Sequence, residues 1–247
     1  MKKIVLAIII VVFGFIFISG IGNSIDLFNY NNSINSDSVA RSYIDKSVNG
    51  NSDAIKYGQT TNAETGSANM VTSIVVNYRS FDTLGEVTVL FLSAMGVAIL
   101  LSSSNSLIKR KKSGFILITA SKILFPILLI TGTYIFIHGH LTPGGGFPGG
   151  AMIASSFLLL YLADEKFVAK IERFKILEGV AGTFYVLIGA AGLLIGGYFL
   201  QNFLPTGTIG NLISAGIIPI VYILIGLKVG SEITSIISNF LKEEVTT

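Results

Sequence analysis

The segment at residues 138–150 constrains the fold more than any other, because glycines and prolines interrupt a long apolar stretch there. It reads HGHLTPGGGFPGG and holds both histidines of the 247-residue chain and two of its five prolines. The flanking runs, residues 125–137 and 151–162, are apolar enough to lie in a bilayer. Non-helical backbone at membrane depth is tolerated only where protein or water satisfies its polar groups. This Gly-rich break therefore predicts an integral membrane protein with a shaped polar element between two helices.

The composition agrees with a membrane location and excludes several cofactors. Hydrophobic residues make up 51% of the chain and charged residues 13%, whereas soluble domains contain about 25% charged residues. The absence of cysteine excludes disulfides, thiolate-bound zinc and cysteine-ligated iron–sulfur clusters. Two neighbouring histidines leave little for a haem or a four-ligand metal site. We expect no cofactor in this chain and no nucleic acid as a partner.

Six apolar runs are long enough, or nearly so, to cross a membrane, which takes about 20 residues. They predict an all-α polytopic protein with about six transmembrane helices and the Gly-rich break between the third and the fourth. The predicted spans are residues 4–21, 84–101, 115–137, 149–163, 177–200 and 212–227, the last with a helical continuation towards residue 240.

The basic residues predict the orientation of these spans. If all six runs cross, eleven lysines and arginines fall on one side, including the cluster at residues 109–112. Because Lys and Arg are enriched in cytoplasmic loops, we predict that both termini are cytoplasmic and that the Gly-rich break lies at or near the external face. The first run exceeds the roughly 7–15 residues of a signal-peptide core and lacks a cleavage motif, so we expect a retained anchor in the cell membrane.

The chain divides at a change of composition. Residues 1–103 contain two spans and a long polar loop at 22–70, which we place outside. A basic cytoplasmic linker at residues 104–114 precedes a four-helix membrane domain at residues 115–247. No internal repeat of the kind found in inverted-repeat transporters is evident.

Three ionisable residues, Arg79, Asp82 and Glu86, cluster at the entry to the second span. Asp82 and Glu86 are four residues apart and share a helix face. Asp82 suits a helix cap, where the dipole favours an anion. A carboxylate in the centre of a span costs at least about 2.5 kcal/mol on insertion scales, so capping does not account for Glu86. We predict that Glu86 has a buried polar role on a water-filled path or beside an arginine of a neighbour.

Three further charges lie inside apolar runs. Lys122 is in the third span, where it either reaches the cytoplasmic interface with its flexible stem or takes part in proton transfer. Lys228 and Glu232 are four residues apart in the last span. The Lys-before-Glu order is the less favourable one for an intrahelical pair, which leaves interfacial pairing and a partner on another protein of the complex as alternatives.

The glycines of the break have a purely steric interpretation, because small residues let membrane helices approach closely. That interpretation does not explain His140, whose ordinary pKa near 6.5 suits proton exchange. A nearby carboxylate such as Glu86 would favour the imidazolium. We therefore expect His140 to be an ion-translocation candidate, together with Glu86, Asp82, Arg79, Lys122, Lys228 and Glu232.

The break is similar to the signature of the MrpB subunit of Mrp-type multisubunit cation/proton antiporters. The matching residues are Gly139, His140, Pro143, Gly144, Gly145, Gly146, Phe147, Gly149 and Gly150. The resemblance covers about residues 114–241. Independently, residues 69–86 resemble the last segment of the large MrpA subunit, which is a small separate subunit in membrane-bound hydrogenases and their sulfur-reducing relatives. The antiporter spans that precede this segment in MrpA are missing here.

The resemblance implies a membrane-arm subunit without a catalytic centre, beside ion-translocating subunits that exchange Na⁺ and H⁺. Its missing spans favour the antiporter module of a redox-driven hydrogenase or sulfur-reductase complex. A stand-alone Mrp antiporter subunit and a purely structural scaffold are the alternatives. Its partners would be other membrane subunits and the lipid bilayer. Sodium takes oxygen ligands, which Glu86, Thr142 and the carbonyls of the break could provide.

Overall fold

The computed structural model describes residues 11–12, 14–15, 18–19, 55–102, 113–164, 167 and 170–241. Contacts divide the chain into two compact units, Met1–Val48 and Asn49–Thr247, and the account below concerns the second. Its elements are a short helix α1 (Met70–Thr72), a π-helix (Ser73–Tyr78), and the helices α2 (Ser80–Ser102), α3 (Phe115–Ile137), α4 (Gly146–Ala163), α5 (Ile171–Gly196) and α6 (Ile218–Phe240).

The predicted all-α membrane architecture is confirmed. Each helix from α2 to α6 is long and apolar enough to cross a membrane, and the described residues contain no strand beyond one isolated bridge. The third span matches the prediction from end to end. Most of the predicted first span, the greater part of the loop at 22–70 and most of the linker at 104–114 lie outside the described residues.

Several predicted span boundaries differ from the structure, two of them because of positive φ angles in the backbone. The last helix begins at Ile218 rather than at residue 212, since Ala215 and Gly216 both have positive φ, which a helix cannot contain. The helix α5 starts at Ile171 and ends at Gly196, where Gly197 takes the left-handed C-terminal conformation common at helix ends. The helix α4 begins three residues before the predicted start.

The helix α6 forms the centre of the unit and packs against α2, α3, α4 and α5. More than half of its most apolar window is buried within the chain, whereas α2 and α3 expose most of theirs. Gly150 of α4 lies against the α6 backbone, and a Cβ atom there would come within 2.8 Å of the Gly226 carbonyl and 2.9 Å of the Gly230 nitrogen. Small residues therefore set the distance between these helices.

Three non-helical segments meet at one end of the helices. The segment before α1 pairs with the α5–α6 loop: the N–H of Gly58 donates to the Ile209 carbonyl and that of Asn62 to the Gly207 carbonyl. The Gly-rich break joins them, as described below. Their contact shows that all three lie at one end of the helices, for which the basic residues of the sequence predict the external side.

We predict that Gly150→Ala destabilises the protein by about 1–3 kcal/mol, the usual cost of overpacking, because the new methyl would collide with the α6 backbone. The matched control is Gly179→Ala on α5, where a Cβ meets nothing within 4 Å. Replacing that glycine should be neutral, or stabilising by up to about 1 kcal/mol through helix propensity. Thermal unfolding in detergent measures both variants, and equal melting temperatures would contradict the prediction.

Candidate functional site

The Gly-rich break is held by one side chain from the preceding part of the chain. The Asn69 amide nitrogen Nδ2 donates to the carbonyls of Gly139, at 3.0 Å, and Thr142, at 2.9 Å. Its own backbone N–H donates to the His140 carbonyl at 3.1 Å, which also accepts from the Ser67 hydroxyl. Asn69 and Ser67 thus supply donors to three backbone carbonyls of the break, which lies beyond the end of α3. Backbone at membrane depth requires such partners.

The same asparagine begins the helix α1. Its carboxamide oxygen Oδ1 accepts from the backbone N–H groups of Val71 and Thr72, which makes it the N-cap. The Thr72 hydroxyl then donates to the Gly139 carbonyl at 2.7 Å and accepts from the Tyr222 hydroxyl of α6 at 2.9 Å. We call Asn69, Thr72 and Tyr222 the clamp. It links the segment before α2, the break and α6.

The glycines of the break make room for the Tyr222 ring. A Cβ at Gly139 would lie 2.7 Å from that ring, and one at Gly145 would lie 2.9 Å from it. Gly144 and Gly145 also have φ angles of 139° and 129°, which L-residues with side chains rarely adopt. Both requirements explain the glycine run without any ligand. Of the other motif residues, Gly146, Gly149 and Gly150 are buried, Phe147 is half-buried and Pro143 is exposed.

His140 lies fully buried beneath this segment. Its Nε2 is 3.4 Å from the Asn211 carbonyl of the α5–α6 loop, and its Nδ1 has no hydrogen-bond partner among the described residues. Burial lowers the pKa of His140 below 6.5, and the hydrogen bond to Asn211 partly opposes the shift. The imidazole is therefore neutral at pH 7. No hydrogen bond or ion pair joins His140 to Glu86 among the described residues, and Glu86 is exposed, so Glu86 is not the nearby carboxylate that would favour the imidazolium.

The helix α2 places its charged residues on its outer face. It begins at Ser80, so Asp82 lies in its first turn rather than at the cap, and Asp82 forms an exposed ion pair with Arg79 at 2.5 Å. Glu86 lies on the surface of this chain. The predicted polar role on a water-filled path or beside an arginine of a neighbouring protein stays a prediction.

Lys122 forms an ion pair across two helices. Its Nζ lies 3.2 Å from a carboxylate oxygen of Asp164, the C-cap residue that follows α4. The lysine side chain is 61% exposed. This arrangement fits a flexible stem that reaches towards the end of the helices, and it assigns Lys122 a partner that the sequence pattern did not indicate.

Lys228 and Glu232 form an ion pair within α6, at 2.5 Å. Both lie in the central half of the 23-residue helix and Glu232 is fully buried within the chain, while the interfacial location considered for this pair stays a prediction. The Lys228 ammonium also lies 4.8 Å from the centre of the Phe91 ring of α2, a distance at which cation–π attraction operates.

A third charged residue, Glu178 of α5, joins this pair and was missed in the sequence. Glu178 is buried and interacts electrostatically with both Lys228 and Glu232. A Cβ at Gly182, one turn further along α5, would lie 3.6 Å from the Lys228 Nζ. The lysine stem therefore crosses α5 where a side chain is absent. Glu178 lies one position inside the predicted fifth span, and this membrane-embedded position was the available signal.

The buried titratable groups of this chain are chemically suited to proton and ion exchange. Among the described residues no cluster of three or more His, Asp or Glu side chains is arranged to hold a metal ion. Glu178, Lys228 and Glu232, which we call the charged triad, form a group of buried titratable side chains, and such groups are functional-site candidates in membrane helices.

Comparisons with known proteins assign both halves of the chain. Residues 116–235 match the model of a domain related to the MnhB subunit of Na⁺/H⁺ antiporters. Residues 18–106 match the model of MbhE, a subunit of MBH. The Gly-rich break and the charged triad lie within the first match, and Asn69 and Thr72 lie within the second.

Individual relatives match different shares of the chain. An uncharacterised protein of Methanocaldococcus jannaschii is 33% identical over 65% of this chain and 72% of its own length. A Na⁺/H⁺ antiporter subunit of Alkalihalophilus pseudofirmus is 36% identical over 38% of this chain and 67% of its own. A chain of the membrane-bound sulfane sulfur reductase, an archaeal respiratory membrane complex, is 43% identical, with a TM-score of 0.72 over 99% of this chain and 100% of that one.

We predict that Asn69→Asp destabilises the protein at least as much as Asn69→Ala. The aspartate keeps the helix cap but loses both donors and places its charge beside the Gly139 and Thr142 carbonyls. Each buried carbonyl left without a donor costs about 1–3 kcal/mol. Thermal unfolding of the two variants in detergent measures the effect. If Asn69→Asp were as stable as the wild type, the cap alone would explain this residue.

We predict that acidification destabilises the region around His140. The unfolded imidazole titrates near 6.5 and the buried one at a lower pKa, so the unfolded state binds more protons as the pH falls. Stability is then at its full value above pH 6.5 and declines as the pH drops towards the lowered pKa. His140→Gln should flatten this dependence between about pH 7.5 and pH 5. In the control His138→Gln, where the ring is half-exposed, the dependence should persist.

Proposed function

Since this chain belongs to the family of membrane subunits that join an MbhE segment to an MnhB-related domain, we propose that it serves the ion-translocating arm of a redox-driven complex of the sulfur-reductase type. It is a multi-pass protein of the cell membrane and a subunit of a Na⁺/H⁺ antiporter-type membrane complex, with other membrane subunits as its partners. In the proposed role it contributes no catalytic centre.

One observation carries the redox-driven assignment. The similarity to the sulfane sulfur reductase chain runs across both parts, at 43% identity over 99% of this chain and 100% of that one. The antiporter subunit of Alkalihalophilus pseudofirmus, in contrast, matches 38% of this chain. This difference supports a complex in which both parts form one chain beside separate antiporter subunits.

Two structural features support a role both in holding the complex together and in proton transfer. The clamp fixes the break against α6, and this gives neighbouring subunits a rigid surface. The charged triad offers groups that exchange protons inside the membrane helices. Exposed apolar side chains along α2 and α3 leave broad surfaces for lipid and for the partner subunits.

The similarity to Na⁺/H⁺ antiporter subunits favours a second candidate, a subunit of a stand-alone Mrp-type antiporter. The two candidates differ in whether an electron-transfer module is attached. The composition of the native complex therefore separates them.

We predict that an affinity-tagged chain, purified from its native membranes in mild detergent, brings with it the subunits of an electron-transfer module as well as antiporter subunits. Mass spectrometry identifies the subunits, and assays of sulfane-sulfur reduction and of hydrogen evolution identify the reaction. Sulfur-reducing activity supports the proposal. Hydrogen evolution alone would replace the sulfur-reductase type by the hydrogenase type, and antiporter subunits without any redox module would overturn the redox-driven assignment.

A further inference from the structure

The charged triad does not balance its own charge. If all three side chains were ionised, the two carboxylates of Glu178 and Glu232 and the one ammonium of Lys228 would carry a net charge of −1. An uncompensated charge among membrane helices costs several kcal/mol. The described part of the chain brings one other charged residue to this region, Lys175 of α5, and its side chain is exposed. The remaining charge therefore needs a cation within the triad.

The structure contains a buried oxygen to which this cation could bind. Glu232 is 0% exposed, one of its oxygens accepts from Lys228, and the other, Oε2, has no hydrogen-bond partner among the described residues. A buried acceptor without a donor is unfavourable. A proton on one of the two glutamates removes the excess charge and turns an acceptor into a donor.

A proton fits this place better than a sodium ion. Hard cations take several oxygen ligands, and the described residues contain no cluster of three or more His, Asp or Glu side chains arranged to hold a metal ion. From the other packed helices, α2 contributes the Phe91 ring, and the Tyr161 hydroxyl of α4 is bonded to Ser238. Apart from the exposed Lys175, the charged partners of the triad among the described residues are those within it.

The two helices bring the three side chains to one level. The helices α5 and α6 run antiparallel, joined by the loop at residues 197–217. At a rise of about 1.5 Å per residue, Glu178 lies about 10 Å from the start of α5 and Glu232 about 12 Å from the end of α6. The Lys228 stem passes over Gly182, one turn along α5 from Glu178, and its ammonium pairs with Glu232.

We propose that Glu178, Lys228 and Glu232 form a membrane-embedded site that holds one exchangeable proton shared by the two glutamates. Loading forms one O–H bond between a carboxylate oxygen and a proton taken from water, and release returns that proton to water. Lys228 keeps its own charge and holds the second carboxylate ionised. The inference rests on the proposed function for its role in transport, although the proton site itself exists whichever complex contains the chain.

The test uses the charge balance of the triad. In the purified complex, the infrared C=O absorption of a protonated carboxyl, followed against pH, should contain one component that Glu178→Gln removes, because Lys228 and Glu232 alone are neutral. Glu178→Gln/Lys228→Gln leaves one unpaired carboxylate, and it should recover the component. The matched control is Glu172→Gln, an exposed carboxylate on the same helix, which should leave the component unchanged.

Transport by the reconstituted complex gives a second measurement. Glu178→Gln should abolish the pH dependence of sodium-driven proton movement into liposomes, while Glu172→Gln keeps it. A persistent infrared component in Glu178→Gln, or its absence from the double variant, would overturn the proposal. If the Glu178→Gln complex did not assemble, the test would use Glu232→Gln instead. That variant leaves Glu178 and Lys228, whose charges also sum to zero. Failure of both single variants to assemble would show a structural role and overturn the proton site.

The two hypotheses fail in different ways. If the wild-type complex moves no sodium or protons, or lacks a redox module, the proposed function is wrong while the infrared result still decides the proton site. If the wild-type complex transports and Glu178→Gln behaves like Glu172→Gln in both measurements, the triad is an ion pair with a neighbour and the proposed function stands.

Discussion

The fold depends on satisfying the backbone where α3 stops and α4 has not yet begun. Such backbone at the end of a membrane helix pair needs donors, and Asn69 supplies them with a carboxamide that caps α1 through its oxygen and binds two carbonyls of the break through its nitrogen. A carboxylate or a hydroxyl could not do both. Thr72 and Tyr222 then tie the break to α6, so that helix has a fixed position around which the others pack.

The close approach of α4 to α6 and the burial of charge in α6 are related. Glycines at 150 and 230 bring the two backbones together, and Gly226 leaves room for Phe136 of α3, so that protein rather than lipid covers this side of α6. The opposite side meets α5, where Gly182 leaves space for the Lys228 stem. The charged triad is thus enclosed by protein rather than by hydrocarbon, which makes three ionisable groups tolerable at this depth.

The sequence predicted the long helices and the break because both follow from local composition: apolar runs of sufficient length, and a glycine–proline cluster between them. It did not predict which residues meet. Glu86 lies on the exposed face of α2, and hydropathy does not show which face of a helix a neighbour covers. Glu178 was overlooked, although its position just inside the predicted fifth span can be read from the sequence. Its partners come from a helix about fifty residues later, and only the packing of α5 on α6 brings them together.

The contacts between the two family segments have a consequence for how such a chain arises. Hydrogen bonds from residues 67–72 to residues 139–142 join the MbhE segment to the MnhB-related domain, and none of them involves the peptide linkage between the parts. The covalent joint therefore adds effective concentration, not affinity. The same hydrogen bonds could therefore join the two segments as separate chains.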